Sequence, residues 1–273
     1  MHKCMNLNGV GLTYLEQGQG LPVVFVHGAV GDHRTWGLER QEVTEPYRYI
    51  ALDQRYFGTA PWADSGAEFS ATTHVNDLAA FIRVLEAGPV NLVGWSYGGA
   101  IALTLAVQHP ELIRSVFLFE PTIGSVVSDQ ADAEIMAQDR KDMFALCAAS
   151  VRAGDNAAAV RLLVDGVTAV SGTFDAFASE VRTVLIENGR ILPLLLAAPP
   201  PPVVTCAQLA QIGVPVAVAR GELTRPFYRI IADAVNRCIP ASLLITIPKA
   251  RHLWPGQDPS GFNEALLGFL KNC

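Results

Sequence analysis

The stretch VNLVGWSYGG at residues 90–99, followed by AIALTLA at residues 100–106, decides the fold of this chain. The apolar run before Gly94 has the length of a buried strand, and the run after the motif is typical of a helix. Together they predict a sharp strand–turn–helix unit with Ser96 at its apex. Glycines at 94 and 98 suit this turn because side chains there would clash with neighbouring elements. A hydroxyl held out in this way predicts a nucleophile at Ser96, and the alternative is an incidental glycine-rich turn.

Strands and helices alternate on both sides of this unit. We predict strands at residues 11–16, 23–26, 49–52, 90–93, 115–119, 214–219 and 243–247, and helices at 72–85, 226–237 and 260–271. Continuous apolar strands that alternate with helices indicate a parallel sheet buried on both faces. The predicted fold class is therefore α/β, with a mostly parallel central sheet and helices on both faces.

Residues 124–205 interrupt this alternation, because they contain no convincing strand. Helical spacing recurs at about 131–150, 156–170 and 174–188. Four prolines at 199–202 close the block with a stiff spacer that cannot be helical. We predict an α/β core formed by residues 1–123 and 206–273, with a helical cap at 124–205. The cap is expected over the carboxyl ends of the strands, where α/β proteins place their sites.

Composition excludes several classes of function. The net charge is −6, with 17% charged residues and no basic run, which argues against nucleic acid as a partner. No apolar stretch is long enough for membrane insertion, and the first residues lack the apolar core of a signal peptide. The five cysteines show neither metal-ligand nor redox-motif spacing, so we expect reduced thiols in a cytoplasmic protein. The sequence is compatible with a homo-oligomer and does not decide the oligomeric state.

A serine hydroxyl needs a base, and histidine is the usual one. Of the six histidines, His252 is the candidate, because it lies in a loop just after the predicted strand 243–247 and far downstream of Ser96. A loop beyond the carboxyl end of a late strand can bring a base over the serine. The alternative is a loop histidine that only caps the last helix.

The loop after the first apolar strand reads His27-Gly28-Ala29. Gly28 allows the backbone to approach a ligand closely. We expect the N–H groups of Ala29 and Tyr97 to form an oxyanion hole. His27 is expected to hold its loop by hydrogen bonds rather than to perform acid–base chemistry.

Aromatic side chains near these motifs are candidates for substrate binding. Phe57, Trp95 and Trp254, together with Gly28, are predicted to line an acyl or aromatic pocket. The alternative for the three aromatic residues is packing around the turn and its loops.

These residues together resemble the α/β-hydrolase superfamily: His27-Gly28, the Gly-Trp-Ser-Tyr-Gly-Gly of residues 94–99, and His252. The resemblance extends from about residue 10 to the C-terminus. It implies the order serine, acid, histidine along the chain, and it makes residues 124–205 the counterpart of a cap, or lid, domain. With serine at the turn, the chain is less like the dehalogenases and epoxide hydrolases, which use aspartate there.

The acid departs from the pattern of many relatives, which carry Gly-x-x-Asp after the strand that follows the cap. Here Thr224 stands in place of that aspartate, three residues after Gly221. Glu120, directly after the strand 115–119, is the predicted acid, similar to haloalkane dehalogenases with a glutamate acid and to serine lactonases of the zearalenone-hydrolase type. A histidine partner would also remove the cost of burying this carboxylate. Glu222 is the alternative acid, and an unidentified acid remains open.

Asp53 is a further carboxylate that follows a strand. It precedes Ser96, which is the wrong order for a triad acid of this superfamily. We expect it to fix its own loop by pairing with Arg55.

The predicted function is a serine hydrolase that cleaves a carboxylic ester or lactone of a small to medium hydrophobic substrate through an acyl-enzyme. No metal or organic cofactor is expected. One alternative is a carbon–carbon bond hydrolase, or other carbonyl chemistry on the same triad, because fold and triad do not fix the reaction. An alternative of another class is a non-catalytic receptor for a small molecule.

Overall fold

A computed structural model describes residues 2–273. The strands are β1 (His2–Leu7), β2 (Val10–Gln17), β3 (Pro22–Val26), β4 (Arg48–Leu52), β5 (Val90–Trp95), β6 (Ile113–Phe119), β7 (Val216–Gly221) and β8 (Leu243–Ile247). They form one sheet in the order β1-β2-β4-β3-β5-β6-β7-β8. β1 and β2 pair antiparallel, as do β2 and β4, and every other pairing is parallel. The predicted α/β class with a mostly parallel sheet is confirmed.

β1 is the strand that the sequence analysis missed. It lies at the edge of the sheet, and most of its side chains are exposed. Such a strand lacks both the continuous apolar run of a buried strand and a clean apolar alternation. Its pairing with β2 becomes apparent only in the folded sheet.

Twelve α-helices are present among residues 2–273. They are α1 (Arg40–Thr44), α2 (Ala71–Val84), α3 (Tyr97–Gln108), α4 (Gln130–Arg152), α5 (Asn156–Thr168), α6 (Thr173–Ala176), α7 (Ser179–Asn188), α8 (Leu192–Ala197), α9 (Cys206–Leu209), α10 (Pro226–Cys238), α11 (Trp254–Gln257) and α12 (Pro259–Leu270). None of them is long and apolar enough to cross a membrane.

Alternation along the strands builds a core on each face of the sheet. On β6, Val116 and Leu118 join the cluster that α2, α3 and α10 cover, whereas Phe117 and Phe119 join the cluster that α1 and α12 cover. Successive side chains of a strand point to opposite faces, so a strand between two helical layers is apolar throughout. This is why the inner strands appear in the sequence as unbroken apolar runs.

Between β6 and β7 the described chain forms helices and turns without a strand. The predicted cap boundaries, 124 and 205, fall at the short 3₁₀ turn Gly124–Val126 and at the N-cap residue of α9. Asp139 of α4 accepts a 2.6 Å bond from Arg225, just before α10. On another side, Asn188 at the end of α7 donates to Asp32 at 2.7 Å. The division into core and cap stays a prediction, and these contacts would hold such a cap against the core.

The structure corrects the expectation of five reduced thiols. Cys206 of α9 and Cys238 of α10 form a disulfide, with their Cα atoms 4.9 Å apart. The two cysteines are 32 positions apart in the chain, so no short sequence motif predicted the pairing. Cys4, Cys147 and Cys273 remain free thiols. Disulfides are rare in the cytosol, so cysteine usage no longer supports a cytoplasmic location, which stays a prediction.

Candidate active site

Ser96 occupies the tight turn between β5 and α3. Its φ of 56° and ψ of −118° lie in a region that residues other than glycine rarely adopt. The neighbouring glycines explain why the turn closes: a Cβ on Gly94 would come within 2.7 Å of the Gly99 Cα, and one on Gly98 would collide with the carbonyls of Val26 and His27. Backbone strain of this kind occurs at functional sites.

His252 lies in the loop between β8 and α11, next to Ser96. Its Nε2 is 3.0 Å from the Ser96 Oγ, and both side chains are buried, at 3% and 8% exposure. The structure therefore brings together two residues that are 156 positions apart. The serine hydroxyl is placed to donate its proton to this nitrogen, the arrangement that a nucleophile and its base require.

Glu120 completes the chain of hydrogen bonds. Its Oε2 is 2.6 Å from the Nδ1 of His252, and its Oε1 accepts a 2.8 Å bond from the Gly221 N–H. Glu120 is fully buried and has a φ of 46°, so it also holds a conformation that is unusual for a glutamate. A carboxylate on Nδ1 fixes the tautomer in which Nε2 is free to accept the serine proton.

Glu222, the alternative acid, lies elsewhere. It is exposed, and its Oε2 accepts a 2.8 Å bond from the backbone N–H of Lys249. Thr224 has a buried hydroxyl oxygen without a hydrogen-bond partner among residues 2–273. The geometry thus favours Glu120 over Glu222 as the partner of His252.

The predicted oxyanion donors flank the serine. A Cβ on Gly28 would lie 3.2 Å from the Ser96 Cβ, so the loop that carries Ala29 passes close to Ser96. Tyr97 opens α3, and first-turn N–H groups have no partner within their helix. These positions suit the predicted role of Ala29 and Tyr97, which stays a prediction.

The side chain of Tyr97 is held by a buried histidine. The Nε2 of His74 lies 3.1 Å from the Arg55 carbonyl, and its Nδ1 lies 2.7 Å from the Tyr97 hydroxyl. Burial lowers the pKa of His74 to about 3, so its ring is neutral at physiological pH. Nε2 then donates to the carbonyl, and the phenol donates to Nδ1.

His27 has the hydrogen bonds of a structural residue. Its Nδ1 donates to the Gly28 carbonyl at 2.8 Å, and its Nε2 accepts from the Gln54 N–H at 3.1 Å. Burial lowers the pKa of His27, which keeps its ring neutral. Both ring nitrogens are thus engaged in holding the loop near Ser96.

The three aromatic candidates for substrate binding differ in their surroundings. Phe57 is 3% exposed and packs between the rings of His27 and Tyr97. The indole N–H of Trp95 donates to the His252 carbonyl at 3.0 Å, so this side chain supports the loop of the candidate base. Trp254 is 3% exposed and lies against aromatic side chains of the core. These contacts favour the packing alternative for Trp95 and Trp254.

Asp53 does not pair with Arg55, contrary to expectation. It accepts a 2.6 Å bond from the His33 Nδ1, and Arg55 instead binds Asp77 at 2.8 Å. Asp32, His33 and Asp53 approach one another closely enough to suit a metal ion. However, Asp32 is already paired with an arginine at 2.6 Å, so the acidic charges of this cluster have protein partners.

Sequence analysis missed Tyr228 of α10. Its ring stacks on the imidazole of His252, with the ring centroids 3.7 Å apart. The sequence offered no signal for this contact, because Tyr228 is one of many apolar positions on an amphipathic helix.

Three features of this structure occur together in one class of proteins. They are a strained serine after a parallel strand, a histidine in a late loop, and a mostly parallel eight-stranded sheet. Residues 22–151 match the family described as alpha/beta hydrolase fold. This match confirms the resemblance to the α/β-hydrolase superfamily that was seen in the sequence, and the sheet with its helices has the α/β-hydrolase fold.

Individual relatives carry different activities. The chain is 25% identical over 273 residues to the 2-(acetamidomethylene)succinate hydrolase of Mesorhizobium japonicum, covering 97% of this chain and 94% of that one. It is 33% identical over 136 residues to the 2-hydroxy-6-oxo-6-(2'-aminophenyl)hexa-2,4-dienoic acid hydrolase of Metapseudomonas resinovorans, covering 48% and 46%. The solved structure of Est816, described as an N-acyl homoserine lactone degrading enzyme, superposes with a TM-score of 0.77 at 22% identity, covering 98% of this chain and all of that one. Fold and relatives together support a hydrolase.

Proposed function

We propose that this protein is a serine hydrolase that cleaves a carboxylic ester or lactone through an acyl-enzyme. The observation that carries the proposal is the continuous hydrogen-bond chain from Ser96 through His252 to Glu120, with distances of 3.0 and 2.6 Å. A buried carboxylate, an imidazole and a hydroxyl in this order are the parts that acyl transfer to serine requires.

Each residue has one role in the proposed reaction. The Ser96 Oγ attacks the carbonyl carbon while its proton moves to the Nε2 of His252. The amides of Ala29 and Tyr97 bind the oxyanion, and Glu120 stabilises the imidazolium. The imidazolium then gives its proton to the leaving alkoxide, and the acyl-enzyme forms. Water, deprotonated by His252, releases the acid and restores the serine. These steps use no metal or organic cofactor.

Three arginines are paired with carboxylates of the protein: Arg34 with Asp32 and Glu187, Arg55 with Asp77, and Arg225 with Asp139. Arg190 and Arg251 bond to backbone carbonyls. An anionic substrate would have to compete with the three carboxylate pairs. We therefore propose a small to medium hydrophobic ester or lactone.

Covalent labelling tests the nucleophile. A fluorophosphonate should add its mass to the peptide that contains Ser96, and p-nitrophenyl butyrate should be hydrolysed by the native chain but not by Ser96→Ala. Labelling at Cys147 or another side chain, with Ser96 unmodified, would contradict the mechanism. Tight binding of a small ester without any turnover would instead favour the receptor alternative.

A second candidate is cleavage of a carbon–carbon bond by the same three residues. The relative from Metapseudomonas resinovorans favours it, since that hydrolase acts on a dienoic acid. Comparing kcat/KM for a 2-hydroxy-6-oxo-dienoic acid with that for p-nitrophenyl butyrate separates the two. A clear preference for the ester supports the first proposal, and a clear preference for the dienoic acid supports the second.

A further inference from the structure

The imidazole of His252 has an aromatic ring lying flat against it. Tyr228 is 3.7 Å away between ring centroids, and the two planes are inclined by 11°. Trp95 and Phe119 approach the same imidazole less closely, at 5.8 and 6.4 Å. Tyr228 is 2% exposed, so water does not separate the stacked rings. Tyr228 is therefore the nearest of the three rings to the face of the candidate base.

The hydroxyl of Tyr228 takes no part in the hydrogen bonds of His252. Both imidazole nitrogens are occupied, by Glu120 and Ser96. The phenol instead donates to the Met143 Sδ of α4 at 3.4 Å. Burial, reinforced by the nearby Glu120 carboxylate, raises the pKa of Tyr228 well above its usual range. Its phenol is thus neutral throughout the working pH range.

Few other charges reach this stack. Asp139 of α4 and Arg225 before α10 both act on Tyr228, with opposite signs, and they pair with each other at 2.6 Å. The side chain of Arg251, next to His252, is directed to the carbonyls of Thr168 and Leu223. Of these groups, Glu120 is the one that bonds directly to the imidazole.

We propose that Tyr228 is a positioning residue for the base, which also stabilises the protonated form of His252 through its ring face. An imidazole can turn about its side-chain bonds, but only one ring plane lets Nδ1 reach Glu120 while Nε2 reaches Ser96. A flat contact at 3.7 Å restricts that rotation. The negative face of an aromatic ring attracts a cation placed over it, so the imidazolium formed during the reaction is favoured. This inference rests on the proposed roles of Ser96 and His252.

Three substitutions separate the contribution of the Tyr228 ring from that of its hydroxyl and from that of core packing. Tyr228→Phe keeps the ring and should retain kcat within about 3-fold. Tyr228→Leu removes the ring and should lower kcat by about 10-fold or more with little change in KM. The acid limb of its kcat/KM profile should move to lower pH by about half a unit to one unit, the size of a lost cation–π contact. Phe227→Leu, a matched truncation at the neighbouring buried position, should lower the melting temperature and leave the acid limb in place.

A direct titration makes the result independent of turnover. NMR of the His252 ring protons should show its titration midpoint moving to lower pH in Tyr228→Leu, by the same amount as the acid limb. Pentafluorophenylalanine at position 228 keeps the shape of the ring and reverses its charge distribution, so it should lower the midpoint relative to Tyr228→Phe even if the leucine variant does not fold.

Two outcomes would overturn the inference. One is an unchanged midpoint in both the leucine and the pentafluorophenylalanine variants. The other is an equal shift in Phe227→Leu, which would reduce Tyr228 to ordinary packing. Failure of the proposed function would be recognised separately, by full esterase activity in Ser96→Ala or by no esterase activity in the native chain. In either case the NMR titration would still test the contact between Tyr228 and His252.

Discussion

Ser96 and Glu120 are the residues that come directly after two neighbouring parallel strands. In the register of β5 and β6, Trp95 pairs with Phe119, so the next residue on each strand leaves the sheet at the same level. Both residues adopt a positive φ, at 56° and 46°. The strand register thus places the proposed nucleophile and the proposed acid side by side, with His252 bonded to both.

The acid can be identified by amide replacement. Glu120→Gln keeps the shape but removes the charge that orients the His252 tautomer, and such a loss in a triad can reach about 10⁴-fold in kcat. Glu222→Gln should cost far less, because Glu222 is exposed and bonded to the Lys249 backbone. Steady-state kinetics on variants with unchanged melting curves make the comparison. The reverse ranking would assign the acid to Glu222.

At the scale of elements, α4 offers a test of the predicted cap. Phe144 is half-buried against the main apolar cluster, whereas Leu146 on the same helix is 64% exposed. If the cap governs substrate choice, Phe144→Ala should change the ratio of kcat/KM between p-nitrophenyl butyrate and octanoate by about 10-fold, the scale of a few apolar contacts. Leu146→Ala serves as the matched control and should leave the ratio unchanged. Equal effects of Phe144→Ala on both esters would make the cap a structural cover only.

The disulfide between α9 and α10 should contribute measurably to the stability of the folded chain. A disulfide that closes a loop of 32 residues restricts the unfolded chain by about 3–4 kcal/mol in the loop-entropy treatment. Replacing Cys206 and Cys238 together by serine should lower the melting temperature, and adding a reductant to the native chain should have a similar effect. Cys4→Ser, at an exposed free thiol, is the control. A melting temperature that responds to neither treatment would show that the bond does not form in solution.

For the whole molecule, stability should depend on pH through Glu39. This side chain is fully buried, and no other residue among 2–273 bonds to its carboxyl oxygens. Burial raises its pKa to about 8. Between the ordinary carboxyl range and pH 8 the folded chain keeps a proton that the unfolded chain loses. The free energy of unfolding should therefore fall by about 1.4 kcal/mol per pH unit across that window and level off above it.

Denaturant titrations from pH 5 to 9 check this dependence. Glu39→Gln should flatten the slope, because the amide has no proton to lose. Glu42→Gln, on the exposed side of α1, should leave the slope as it is. An identical slope in native and Glu39→Gln chains would assign the pH dependence to other groups.

The sequence by itself determined what depends on local patterns. The glycines around Ser96 specify a tight turn, and unbroken apolar runs specify strands buried on both faces, so the α/β class and the mostly parallel sheet followed before any contact was known. His252 became a candidate because residues after parallel strands gather at one edge of the sheet, and Glu120 became one because its place after a strand resembles that of the acid in some α/β hydrolases.

Tertiary structure alone decided which of these residues meet. Glu120 and Glu222 both follow strands, yet only the packed sheet places the Glu120 carboxylate on His252, 132 positions away. The same holds for Arg55 with Asp77, for the pairing of Cys206 with Cys238, and for the ring of Tyr228 on the imidazole. The reason is physical: contacts between distant parts of a chain depend on strand register, helix placement and side-chain direction, which short-range patterns do not encode.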